Sequence, residues 1–200
     1  MVSDDLKTTF DGADRERWIG VYIGLLAVVL AICSMGGGNA AKDATLRNIE
    51  AANTWAFFQA KNMRRQVLRV QADDLALRLQ TEPDLTAAGR AAIEAKIAEY
   101  KKQDAILTSG DPSVPVEARE GLDQLFEKGK RLDAERDTAM RKDPYFDYGE
   151  ALLQIAIVLA SISIIIKGNL LLAVSGLAGA AGALLALNGF TLAITLPGMG

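Results

Sequence analysis

An all-α membrane protein is predicted: three transmembrane helices, with a long antiparallel, coiled-coil-like helical hairpin inserted between the first and second. Three observations carry this. First, half of the 200 residues are apolar, but they are concentrated in uncharged runs at 19–35, 151–166 and 170–196, and a bilayer core needs about 20 such residues per helix. Second, more than a hundred residues between the first two runs are rich in charge, and 39–80 within them holds no glycine or proline. Third, apolar positions inside that stretch recur at helical spacing. A soluble chain of this size has no core able to bury three helices that are apolar all round.

The elements follow in order. Residues 1–17 are polar and of mixed charge, and read as a mobile tail. Trp18 and Tyr22 open the first span, 18–35, as aromatics at a membrane interface do. Its apolar run is longer than that of a secretory leader, and the residue before Cys33 is Ile32 rather than a small one. A retained anchor is therefore expected. Gly36-Gly37-Gly38 reads as a swivel where the chain leaves the membrane. The insertion, 36–147, begins with an outbound helix at 39–80, and Glu82-Pro83-Asp84 stops it. A second helix is expected at 85–107, with Ile93, Ile97, Tyr100 and Leu107 on its face. TSGDPSVPV at 108–116 is a loop. A third helix at 117–143 presents Leu122, Leu125, Gly129, Leu132 and Arg136.

Length arithmetic orders these parts. At 1.5 Å per residue the outbound helix travels roughly 60 Å, and the two later helices together cover roughly 75 Å. The chain returns to its second span only if both later helices run back. Tyr145, Phe146 and Tyr148 then introduce that span, 148–166. Lys167-Gly168-Asn169 is a tight turn into the third, 170–187, and Asn188-Gly189 divides it from an interfacial tail, 188–200.

Chemistry is nearly absent from this pattern. There is no histidine and one cysteine, which removes an intrachain disulfide and any Cys/His metal site. No nucleophile elbow, Walker loop or zinc-binding helix occurs. Asp73-Asp74 and Glu117/Glu120 fit solvated helix faces. The uncharged runs at 19–35, 151–166 and 170–196 put no Asp, Glu, Lys or Arg at membrane depth, which weighs against proton relays and coupled transport. Glu150 and Gln154 share one face at the start of the second span; an interfacial carboxylate and a pore lining both fit them. The net charge of −3 gives no reason to expect nucleic acid. No catalytic, cofactor-binding or metal residues, and no cofactor, are expected.

Two surfaces stand out instead. In the third span, Ser175, Gly179 and Ala183 form one row of small residues, and Ala178, Gly182 and Ala186 another. Such rows let helix backbones approach closely, either with another subunit or with the chain's own two spans; Ser175, Gly179, Gly182 and Ala183 are the candidate packing residues. In the outbound helix, Ile49, Ala56, Met63, Val70 and Leu77 form a heptad stripe, with Ala60 and Val67 between them and Asn53 and Asp74 completing the second set. That stripe is expected to face the return leg. Trp55 and Phe57 then flank it, and Phe58 points almost directly away. One partner leg does not cover all three rings, so Trp55, Phe57, Phe58, Gln59, Lys61 and Arg64 are expected to form an aromatic girdle where neighbouring hairpins meet.

At these residues the chain resembles a bacterial family known as domain of unknown function 4337. The likeness rests on Asn53-Thr54-Trp55, Gln59-Ala60-Lys61 and Arg64, and on Phe146-Asp147-Tyr148-Gly149-Glu150-Ala151-Leu152-Leu153-Gln154 leading into IAIVLASISI. It covers nearly the whole chain and implies a bacterial integral membrane protein, without supplying catalytic residues. The expectation is a non-enzymatic structural or accessory protein of the bacterial inner membrane. Its expected partners are membrane lipids, further copies of itself and a larger membrane complex. The alternative is a small channel or transport component whose glycine-rich third span lines a path. Arg15, Arg17 and Lys167 flank one side of the spans, while Lys42, Arg141 and Lys142 flank the other. Lys7 tips the balance towards a cytoplasmic N-terminus and a periplasmic hairpin.

Overall fold

A computed structural model describes the backbone of residues 2–196 and the side chains of 14–116 and 118–196. The side chains of Lys7 and Glu117, and the end of the expected tail at 197–200, lie outside the described residues. Among those described, all regular structure is helical: α1 (Val2–Thr81), α2 (Ala87–Ser109), a 3-10 turn (Val116–Ala118), α3 (Leu122–Ile166) and α4 (Asn169–Thr191).

Three expected breaks are not breaks. The polar segment 2–17, the first span and the outbound leg belong to the single helix α1, which passes through Gly36-Gly37-Gly38. The glycines there make room rather than a swivel: a Cβ on Gly36 would sit 2.5 Å from the Phe146 ring and 2.8 Å from that of Phe190. The third insertion helix and the second span are likewise one helix, α3, with Pro144 inside it. Proline costs one i→i−4 bond, but the residues beside it, Tyr145 and Phe146, are almost wholly buried and hold the helix through that point. α4 runs past Asn188-Gly189 to Thr191 and ends at Leu192, in the left-handed conformation. Asn188 serves that ending from inside the helix, its side chain bonding both the N–H and the C=O of Ile194.

Other boundaries follow local chemistry. α1 stops ahead of Pro83. Thr86 caps α2 by accepting the Gly89 N–H at 3.1 Å, and Gly110, at φ 86°, closes it. The loop is longer than expected, since α3 starts at Leu122 rather than 117. Arg119 holds it, donating to the carbonyls of Val114 and Pro112.

The chain divides into two compact units. The first comprises 1–45 and 136–200 and packs α1, α3 and α4 together. Partners between α1 and α4 stay 153 or 154 residues apart: Arg15 with Asn169, Tyr22 with Ser175. These two segments therefore run parallel. Against α3, Gly182 meets Gly149 while Ser175 meets Ala156, so α3 runs antiparallel to α4. The core is Leu26, Cys33, Ala40, Phe146, Leu153, Ala156 and Ala186. Three helices are long and apolar enough to cross a membrane. The outside of this unit is as apolar as its core. Leu25, Ile165, Leu177 and Leu184 face outward, while Ser163 and Ser175 are fully buried.

The second unit, 46–135, contains the later part of α1, α2 and the start of α3. Its contacts descend in order along one partner as they ascend along the other. Arg47 pairs with Glu135, Trp55 with Asp133, Lys61 with the Glu120 carbonyl and Arg69 with Asp104.

Candidate interaction surfaces

The ring cluster is the most developed feature of the second unit. Trp55 lies edge-on to Phe58 and to Phe126, both at 5.7 Å between centroids, and Phe58 lies 6.1 Å from Phe126. Edge-to-face contacts of this kind add roughly 0.5–1.5 kcal/mol to the area they bury. The indole Nε1 donates to Asp133 Oδ2 at 2.9 Å, which satisfies the one polar atom the ring brings inward. The indole reaches Asp133 across Gly129, where a Cβ would lie 2.7 Å from the ring. A groove of about 240 Å³ opens beside the cluster, lined by Phe58, Arg65, Leu122, Asp123, Phe126 and Glu127.

This corrects the expected orientation. Phe58 does not point away from the return leg; with Trp55 it packs against α3 within the same chain. The stripe expected to face that leg is instead outward: Met63 is 64 % and Val70 68 % exposed, and Ile49, Val67 and Leu77 are about half exposed. Met63 therefore does not lie inside the hairpin. The face in contact is Ala51, Thr54, Phe58, Arg65, Leu68 and Ala72, all at least partly buried. It repeats every three and four residues, as the apolar stripe does, so periodicity alone favours neither. The choice is set by α3: Phe126 meets the rings of Trp55 and Phe58, Gly129 leaves room for the indole, and Leu122, Leu125 and Leu132 are buried. Lys61 donates to the Glu120 carbonyl, Arg65 to Asn62 and Arg69 to Asp104, while Arg65 Nε is buried without a hydrogen-bond partner.

Of the six expected girdle residues, Trp55 and Phe58 are drawn into the intrachain cluster. Lys61 is partly buried, lies 5.0 Å above the Phe57 ring and donates to the Glu120 carbonyl. Phe57, Gln59 and Arg64 remain on the outside. Phe126, Gly129 and Asp133 complete the cluster and were not singled out as its members; a glycine inside a helix with large residues around it was the available signal. Further along, Arg69 grips Asp104 through Nε and Nη2 at 2.7 and 3.0 Å. That hydrogen bond, ahead of the opposing effect of burial, holds the Asp104 carboxyl below its usual range.

The small rows of α4 face its own neighbours. Ser175 donates to the Ala156 carbonyl at 2.7 Å and lies 3.2 Å from the Tyr22 hydroxyl. Gly179 lies under Leu26 and Tyr22, and Gly182 against the backbone of Gly149 and Leu153. Ala186 is buried with them, whereas Ala183 and Ala178 sit at the margin. Between the two readings left open for these rows, the contacts seen are those with α1 and α3 of the same chain. Glu150 accepts from Gln154 at 3.2 Å. Among the described residues no group of three or more His, Cys, Asp or Glu side chains is placed to hold a metal.

No curated protein and no solved structure matches the chain. A family model described as a domain of unknown function (DUF4337) matches residues 15–192, a range that takes in the ring cluster, the charged pairs and all three long apolar helices. The chain belongs to that family.

Proposed function

We propose that this protein is a multi-pass integral membrane protein of the bacterial inner membrane. In this reading it is a non-enzymatic structural or accessory component that self-associates through its insertion and supports a larger membrane assembly. The observation that carries the reading is the outer surface of the first unit, where large aliphatic side chains face outward around an interior that packs glycine, serine and alanine together with Leu26, Phe146 and Leu153. Water would penalise that surface at about 25 cal/mol for each Å², whereas lipid accepts it, and close packing then depends on small residues. The order of contacts in the second unit supports an antiparallel hairpin with its tip near Pro83.

Self-association is supported by apolar and aromatic groups on the insertion that the chain leaves uncovered, Phe57 among them. The glycine face of α4 is occupied by Tyr22, Leu26, Leu153 and Phe146, so nothing here favours a path along it. Arg15, Arg17 and Lys167 on one side balance Lys42, Arg141 and Lys142 on the other, and Lys7 tips the count towards a cytoplasmic N-terminus and a periplasmic hairpin. Two measurements test the reading: resistance of the full chain to alkaline carbonate extraction, and its mass in detergent. Release by carbonate would refute membrane integration, and a monomer at micromolar concentration would refute self-association.

A further inference from the structure

The outward stripe of α1 is more than scattered apolar exposure. Its positions alternate by three and four residues without interruption, the spacing of a coiled-coil seam. One set of alternate positions is Leu46, Asn53, Ala60, Val67 and Asp74. The other is Ile49, Ala56, Met63, Val70 and Leu77. All ten are exposed, as are the flanking positions Glu50, Phe57, Arg64, Gln71 and Arg78 on one side and Ala52, Gln59, Gln66 and Asp73 on the other. The helix thus has two seams: one buried against α2 and α3, and one that no part of the second unit covers. A repeat this long passes the roughly three to four heptads at which such a pattern specifies a partner helix.

We propose that the occupant of this seam is the same helix of a second copy, lying parallel and in register. This rests on the self-association proposed above and assigns its surface. Register is argued from the polar layers. In parallel alignment Asn53 meets Asn53 and Asp74 meets Asp74, so no polar group faces an aliphatic one. A single asparagine in such a layer is a known register device. Each Asp74 keeps its own Arg78 at 3.1 Å, which offsets the repulsion between the two carboxylates. The flanking pairs agree: Asp73 meets Arg78 of the second copy, Gln59 meets Arg64, and no like charges oppose. Antiparallel alignment instead sets Asn53 against Val70, Asp74 against Ile49 and Arg64 against Arg64.

The test uses the full chain in nanodiscs, where its one cysteine, Cys33, is buried. Val67→Cys is compared under copper-phenanthroline oxidation with Glu94→Cys, an exposed position on α2. Val67→Cys should pass into a disulfide-linked dimer while Glu94→Cys stays largely unlinked. Val67→Asp should weaken association on the order of a hundredfold with helix content unchanged, because the site is exposed in the single chain. An oligomer in which Val67→Cys links no faster than Glu94→Cys overturns the seam but leaves self-association standing. A wild-type monomer overturns both. In a mixture of Ala56→Cys and Val67→Cys chains, preferential 56-to-67 linkage overturns the parallel register, since those positions lie about 16 Å apart along it.

Discussion

Gly182→Ala compared with Gly176→Ala asks whether the three apolar helices pack as described. Both glycines lie within α4, so the gain in helix propensity, about 1 kcal/mol, is common to the two changes. Their surroundings differ. A Cβ on Gly176 meets nothing within 4 Å, whereas one on Gly182 lies 2.8 Å from the Gly149 carbonyl oxygen, 2.9 Å from Leu153 Cγ and 3.1 Å from the Leu153 nitrogen. Two of those three atoms are backbone, so no rotamer change relieves the overlap and α4 must move away from α3. Ordinary contact requires a shift of a little over half an ångström, which loosens the Ser175–Ala156 hydrogen bond two turns away on the same face. Overpacking of this kind costs about 1–3 kcal/mol. Gly182→Ala should therefore be less stable than Gly176→Ala by that amount. Thermal unfolding in a mild detergent, followed by circular dichroism, reads the difference directly. Equal stabilities, or a more stable Gly182→Ala, would refute the Gly149–Gly182 crossing.

Other outcomes follow from the second unit. Trp55→Phe removes the hydrogen bond to Asp133 and should cost about 1.5–2 kcal/mol, the lower part of the range for charged acceptors since the site is only partly buried; an unchanged melt would count against that bond. Phe58→Ala should cost about 2 kcal/mol, below the value for a fully buried ring, and should act on the single chain; lost association with an unchanged melt would contradict the intrachain cluster. Asp104 titrates lower in the folded chain than unfolded, so its contribution is present above the ordinary carboxylate value near 4 and is lost as pH falls through the lowered one. Asp104→Asn should flatten the acid limb of a pH–stability profile, and an identical limb would contradict the pairing with Arg69. Protease added to intact spheroplasts should cut in the loop around 110–115, and full protection would reverse the proposed sidedness.

Much of this architecture was readable in the chain because it depends on length and composition. Three apolar runs, the stop at Pro83 and the faces of α2 and α3 follow from period and breakers. The misread elements share a cause. Gly36, Gly37 and Gly189 look like breaks when only local conformation is considered, but they accommodate the Phe146 ring, which lies far away in sequence. Pro144 looks like a boundary, yet burial of its neighbours keeps the helix whole. The choice between the two seams of α1 was not readable from apolarity. Phe126 and Gly129 of α3 take up Trp55 and Phe58 of α1, leaving the more apolar stripe outside. Trp55 was legible as a ring out of place, but its partners required knowing that Gly129 passes beside it.

The most direct measurement is the number of copies per particle for the full chain reconstituted in nanodiscs, read by native mass spectrometry. The account predicts two copies for the wild type and one for Val67→Asp. A single copy for the wild type, across concentrations where reconstitution is complete, would contradict it.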